Sequence, residues 1–195
     1  MRLLSRLAGV CLAVAAALSP IAGWAGPVQG ARVDIGIGAN GTYYGATNVG
    51  TPSLALDVSK LWQVTAGTGT GKADKLYAGA RTLTASSSES LDLAGGLTDP
   101  LGATLTFVHV KAIMVIADTG NTNNVQVGGA ASNTFAGPFA DATDIVSIPP
   151  GGSAVFTHPG AGWTVTASTG DILKVANSSS GTSVTYQLVL IGTSN

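Results

Sequence analysis

"ATLTFVHVKAIMVIAD", residues 103–118, is the most apolar run in the body of this chain. Its many β-branched residues favour a β strand over a helix. Because side chains two apart share a face of a strand, Leu105, Phe107 and His109 belong to one face and the residues between them to the other. The run is long enough for two strands or for one bent strand.

A second decisive run is "SVTYQLVLIG", residues 183–192. One face of it collects four large side chains: Val184, Tyr186, Leu188 and Leu190. Val189 and Ile191 lie on the opposite face, so the second half of this strand is apolar on both sides. Such a strand is typical of the centre of a sheet, or of a face covered by a partner.

The remaining segments predict many short strands separated by turns. Alternating or apolar runs closed by Gly, Pro, Asn or Ser recur along the chain: "RTLTAS", "ESLDLAG", "NVQVGG", "DIVSIPPGG", "SAVFTHPG", "WTVTAS" and "DILKVANS". Neither an amphipathic helix nor a repeat of fixed period follows residue 25. The sequence therefore predicts an all-β fold, an antiparallel β-sandwich or jelly-roll-like single domain.

The first 25 residues have the pattern of an export signal. Arg2 and Arg6 precede a short apolar segment, "LAGVCLAVAAAL", and small residues at Gly23 and Ala25 suit cleavage after Ala25. The apolar segment is too short to span a bilayer comfortably, so no stable membrane span is expected once the signal is removed. Cys11, the sole cysteine, would leave with it, and the mature chain would have neither a disulfide nor a thiolate.

Three segments follow from these patterns: a signal peptide at 1–25, an irregular N-terminal arm at 26–53 and a β-sandwich domain at 54–195. The arm is rich in Gly, Asn and Thr and holds one short strand candidate, "RVDIGI". We expect the arm to be loosely attached or packed on a neighbour. Trp62, in the alternating run "KLWQV", is expected in the core.

The charge pattern argues against a nucleic-acid partner. Removing Arg2 and Arg6 from the nine basic residues leaves seven against ten acidic ones, for a net charge of about −3. Phosphates require clustered Lys and Arg, and the basic residues here are scattered. Only 10% of the residues are charged, and a surface poor in ions can meet a copy of itself without desolvating them. A homo-oligomer is therefore expected.

The run "GNTNNVQVGG" offers two interpretations. Asp118, Asn121, Asn123 and the adjacent Asn124 could supply oxygens to Ca²⁺, but only the first is charged and no bidentate Glu follows. Asn and Gly also accept the left-handed backbone of hairpin turns, and this interpretation is favoured. The carboxylates of "ADATD" are likewise better suited to capping turns than to binding metal.

No catalytic, cofactor-binding or metal-binding residue is predicted. The two histidines, His109 and His158, have no zinc-type spacing, and Glu89 is the sole glutamate. No "GxSxG" motif marks a nucleophile, and "GTGTGK" lacks the spacing of a phosphate-binding loop. Trp163 follows two glycines in "GAGWTV" and, with Tyr43 and Tyr44, is a candidate glycan contact. Packing under a loop is the favoured interpretation of Trp163.

Several long runs carry a resemblance to a known group: "TLTASSSESLDLAGGLTDPLGATLTFVHVKAIMV", "GNTNNVQVGGAASNTFAGPFADATD", "PGG" and "TGDILKVANSSSGTSVTYQLVLIGTS". They resemble small proteins encoded among the structural genes of tailed bacteriophages and prophages. The resemblance covers about Leu76 to Asn195 and implies a virion-associated β-sandwich of the head-decoration or fibre type. Capsid or tail proteins would then be its partners, and no catalytic residue comes with it.

Two functions follow from these expectations. The first is a non-enzymatic, phage-derived structural subunit that self-associates. Phage structural subunits assemble in the cytoplasm, whereas the apparent signal peptide implies export, so the location is either the virion or the periplasm and beyond. The second is an exported adhesin or carbohydrate-binding module that meets surface glycans.

Overall fold

The computed structural model describes residues 62–195 in full and, before them, the backbone of three strands: β1 (Val14–Ala16), β2 (Val33–Tyr44) and β3 (Ser53–Ala66). The later strands are β4 (Lys72–Ala73), β5 (Lys75–Leu83), β6 (Ser88–Asp92), β7 (Leu97–Thr98), β8 (Thr104–Leu105), β9 (His109–Ala117), β10 (Val125–Gly128), β11 (Ile145–Ile148), β12 (Ser153–Thr157), β13 (Trp163–Thr164), β14 (Ile172–Asn177) and β15 (Val184–Thr193). The all-β prediction is confirmed.

Two antiparallel sheets form the body. The larger sheet has the order β12-β9-β15-β5, with β13 also pairing β9. The smaller sheet has the order β11-β10-β14-β6, and β7 and β8 form a short ribbon. Apolar side chains of both sheets join one core, in which Val115 and Leu188 of the larger sheet and Val125 and Leu173 of the smaller are fully buried. This arrangement is the predicted β-sandwich.

Strand β15 is central, as its two apolar faces predicted. It pairs β5 along one edge, from Val184 opposite Leu83 to Gly192 opposite Lys75, and β9 along the other. Its inward residues are buried between the sheets, while Ile191 is buried on the opposite side. A strand that is covered on both faces needs apolar residues at consecutive positions, which explains the pattern.

The run 103–118 forms two strands, and a bulge changes its alternation. The register between β9 and β15 shifts between Ile191 and Gly192, leaving Lys111 as the extra residue of β9. Val110 and Ile113, three apart, therefore both reach the core between the sheets. His109, expected on the face of Leu105 and Phe107, is half-buried and lies outside that core.

A polar network links the two sheets at the edge where β5 faces β6. The Glu89 carboxylate accepts a hydrogen bond from the hydroxyl of Tyr186 and another from Arg81 Nη1 at 2.8 Å. Arg81 Nε also donates to the Tyr77 hydroxyl at 3.1 Å. Tyr186 is fully buried, whereas the Arg81–Glu89 pair is partly exposed, so the tyrosine hydroxyl depends most on this contact.

We expect this network to make the fold sensitive to alkali. Burial and the neighbouring Glu89 raise the pKa of Tyr186 well above its ordinary value of about 10. Because the folded pKa is the higher one, the contribution of Tyr186 is complete below about pH 10 and is lost above it. Tyr186→Phe should cost about 2 kcal/mol at neutral pH, and urea titrations should show this difference shrinking above about pH 10. Curves that stay parallel across pH would contradict the assignment.

The N-terminal part contains a long β-hairpin. β2 and β3 pair over twelve residues, from Val33 opposite Val64 to Tyr44 opposite Ser53, and β1 pairs the start of β2. β2 is longer than the short strand predicted at "RVDIGI". The predicted signal peptide and the division into arm and domain stay predictions, because the residues before 62 are described only as strand backbone.

Candidate interaction surface

The asparagines after β9 bind residues of β11, of β15 and of the loop after β14. Asn121 and Thr185 exchange two hydrogen bonds, each 2.8 Å long, between the Asn121 amide and the Thr185 backbone. Asn124 donates to Ser147 at 3.1 Å, and its backbone N–H donates to the hydroxyl of Ser178. Asp118 accepts from the N–H of Gly120 in a tight turn. These contacts are those of a structural turn.

Asn123 shows why a cation is not needed here. Its amide nitrogen lies 2.9 to 3.3 Å from four oxygens: Asn177 Oδ1 and the carbonyls of Ser179, Ser180 and Thr182. An amide donor already occupies the position where a cation would meet these oxygens. Within the fully described part of the chain, no three His, Cys, Asp or Glu residues group around a possible metal.

The carboxylates of "ADATD" also cap a turn. Asp141 accepts from the N–H and the hydroxyl of Thr143, and Asp144 accepts from the N–H of Asp141. The hydrogen bond from the Thr143 N–H holds the pKa of Asp141 below its ordinary value. Each side chain is thus engaged in local turn geometry.

Trp163 packs against the protein. Its ring meets the ring of His158 edge-on, with centroids 5.5 Å apart, and it is half-buried against the core. Gly137 lies so close that a Cβ there would fall 2.5 Å from the Trp163 Cβ. These contacts fit packing under a loop. Tyr43 and Tyr44 end strand β2, and their side chains lie outside the described residues, so the structure does not join them to Trp163.

The loop "GTGTGK" is held by a buried lysine. Lys111, at the bulge of β9, is 2% exposed and donates from Nζ to the carbonyl of Gly69 at 2.6 Å. Burial lowers the pKa of Lys111, and the nearby Asp74 carboxylate opposes this effect. The loop turns a carbonyl towards the cation, whereas a phosphate-binding loop would present its N–H groups to an anion.

The larger sheet has a second apolar side, which we call the outer face. It consists of the alternate residues that point away from the smaller sheet: Leu76, Ala78 and Ala80 of β5; Ala112, Met114 and Ile116 of β9; Val155 of β12; Gln187, Val189 and Ile191 of β15. Register places Met114 between Val155 and Val189, with Ala78 beyond. Apart from Lys111, the buried extra residue of the β9 bulge, the outer positions of these strands carry no charged side chain.

One end of the outer face is covered by the chain itself. Trp62 and Val64, from the end of β3, pack with Ala112 and Ile191 in a small apolar cluster separate from the main core. Trp62, expected in the core, is half-buried and packs against this second cluster, not between the two sheets. The alternating pattern indicates that Trp62 packs against other residues, but it does not show on which face of the larger sheet Trp62 packs.

The rest of the outer face is less covered. Met114 and Ile116 are half-buried, and Ala78, Ala80 and Gln187 are exposed. Isolated apolar side chains on a surface are ordinary, but this group is contiguous across three paired strands. It is the surface best suited to contact another apolar surface.

No family model, curated protein or solved structure matches this chain. Among the described residues, no helix is long and apolar enough to span a membrane.

Proposed function

We propose that this protein is a non-enzymatic structural subunit that associates with copies of itself through the outer face of its larger sheet. The observation that supports self-association is the contiguous, uncharged surface of Met114, Ile116 and their neighbours, part of which is exposed to solvent. Such a surface gains from burial at roughly 25 cal/mol per Å² of apolar area and desolvates no ion when it closes.

The finer proposal is a phage-derived virion subunit of the decoration or fibre type, with capsid or tail proteins as further partners. It rests on the resemblance of residues 76–195, which here supply strands β5 to β15, and on the low surface charge. Fractionation of an induced source culture, followed by mass spectrometry of the N-terminus, tests it. Banding with particles supports a virion location, whereas a chain that begins at Gly26 in the envelope or supernatant supports export.

We expect Ile116→Lys to disrupt self-association while the fold persists. Ile116 is only half-buried, and a lysine there can extend into solvent in the monomer but not in an apolar interface. Light scattering coupled to gel filtration should show an assembly for the wild type and a shift towards monomer for the variant. The weakening should be at least about tenfold, since a lysine buried without a partner costs more than 1.4 kcal/mol.

Leu101→Lys is the matched control. Leu101 is 83% exposed in the turn between β7 and β8 and belongs to neither of the two main sheets. The control should keep the wild-type mass and unfolding midpoint. A wild type that stays monomeric at high concentration would contradict the proposed function, as would an Ile116→Lys variant that assembles as the wild type does.

A further inference from the structure

Strand β5 forms the longest outer edge of the two sheets. It ends the larger sheet and pairs with β15 over nine residues. The strands at the other three ends, β12, β11 and β6, have only four or five residues. None of the strands that the structure describes pairs with the second edge of β5. Alternate residues along that edge therefore direct their backbone N–H and C=O groups away from the sheet.

The composition of β5 does not protect this edge from another strand. Its register with β15 is continuous, so no bulge twists it away, and it contains no proline. Its centre, residues 76–80, carries no charge. The guanidinium of Arg81 is held by the Tyr77 hydroxyl and the Glu89 carboxylate. Three side chains of the strand are exposed: Ala78, Ala80 and Thr82. A regular, accessible edge of this length is typical of a strand that pairs with another chain.

The order of residues in β5 matches an antiparallel copy of the same strand. When Gly79 lies opposite Gly79 of the copy, the other pairs are Lys75–Leu83, Leu76–Thr82, Tyr77–Arg81 and Ala78–Ala80. All nine residues are then paired, and no charged residue lies opposite another. Each arginine lies opposite an aromatic ring, and within one chain the Arg81 guanidinium already lies 5.9 Å from the centre of the Tyr77 ring.

Other registers of the same pair are less favourable. Centring the pair on Ala78 places Lys75 opposite Arg81, and like charges directly opposite one another are destabilising. Centring it on Ala80 leaves Lys75 and Leu76 beyond the end of the partner strand. A shift by a single residue turns the outer faces of the two copies to opposite sides. The match in charge and length about Gly79 is a property of β5 with itself, which favours a second copy as the partner.

We propose that β5 of one copy pairs with β5 of a second copy, antiparallel about Gly79, and joins the two larger sheets into one continuous sheet. This contact goes beyond the proposed function, because it uses backbone hydrogen bonds at a sheet edge rather than the apolar outer face. A strand paired with its own copy forms an isologous contact, which closes after two copies. The two outer faces then lie side by side on one side of the joined sheet.

Disulfide mapping in the full-length chain tests the pairing and its register. The background is Cys11→Ser, because Cys11 is the sole cysteine. One chain carries Ala78→Cys, and a second, differently tagged chain carries Ala80→Cys. The two are mixed, allowed to exchange subunits and oxidised. Directly opposite residues have Cα atoms roughly 4.5 to 5.5 Å apart, within reach of a disulfide.

The register predicts that only the mixture forms disulfides efficiently. In either variant alone the two cysteines are diagonal neighbours, about 7 to 8 Å apart, which is too far for a disulfide without backbone movement. We expect mixed-tag dimers at a yield about tenfold above either variant alone, because pairing raises the effective concentration of the two thiols. Ala78→Cys mixed with Leu101→Cys is the control for exposed thiols and should give no such excess.

The outcomes separate this inference from the proposed function. Equal yields from the mixture and from the single variants would overturn the pairing about Gly79. Assembly that Ile116→Lys disrupts, without mixed-tag disulfides, would overturn the inference and leave the proposed function standing. Mixed-tag disulfides together with an Ile116→Lys variant that assembles as the wild type does would support the inference and contradict the proposed role of the outer face. A monomer in every preparation would overturn both.

Discussion

Gly192→Ala should be among the most destabilising single substitutions in the body of this protein, with a cost of about 3 kcal/mol or more. Gly192 lies at the bulge where β15 meets β9, and it is fully paired on both sides. A Cβ at this position would overlap the carbonyl of His109 and lie 2.7 Å from Cδ1 of Phe107. The carbonyl belongs to the backbone and cannot rotate away, so one of the two central strands has to move.

Urea unfolding of this variant and of a matched control measures the effect. Gly69→Ala is the control, because a Cβ on Gly69 meets nothing within 4 Å. We expect the control to change the free energy of unfolding by less than about 0.5 kcal/mol. Equal effects of the two substitutions would show that the bulge tolerates a side chain and that the contact described at Gly192 is wrong.

Asn123→Asp should cost about 2 to 3 kcal/mol at neutral pH, although it changes one atom. The substitution replaces the donor at the centre of four oxygens with an acceptor. The folded state then favours the protonated carboxyl, so the pKa of the new side chain is raised on folding. The loss relative to wild type is therefore small below about pH 4 and grows as the pH rises above it.

Asn133→Asp controls for the added charge, because Asn133 is exposed, and its left-handed backbone is one that Asp adopts as well as Asn. Thermal unfolding of both variants, with and without millimolar calcium chloride, also decides the calcium interpretation of Asp118, Asn121 and Asn123. We expect no calcium effect on the wild type. An upward shift of its midpoint with calcium would contradict the structural assignment of this turn.

The sandwich was predictable because its strongest signals are local. In β15 the inward residues repeat at every second position, and in the run 103–118 the apolar content alone requires burial. The bulge at Lys111 was not predictable, because it depends on which residue of a distant strand stands opposite. His109 leaves the face on which simple alternation placed it because the chain departs from strand geometry at residues 106–108, between β8 and β9.

The roles of the polar residues needed long-range information. Asn123 binds groups 54 to 59 residues away, so the sequence around it could not show what its amide contacts. The outer face was indicated only by Val189 and Ile191, whose apolar character opposite the core predicted a central or covered strand. Met114, Ile116 and Trp62 join that face through pairing and packing that no local pattern contains.

The pairing of β15 with β5 also bears on how the protein is made. Thr82 and Thr185, neighbours across these strands, are 103 residues apart in sequence. Strand β9 also pairs with β15, on its other edge. Neither β5 nor β9 can pair with β15 until β15 has left the ribosome. Pairing between residues far apart in sequence is slow. Until then the edges of β5 and β9 that face β15 are unpaired, and a chain with unpaired strand edges is prone to aggregate.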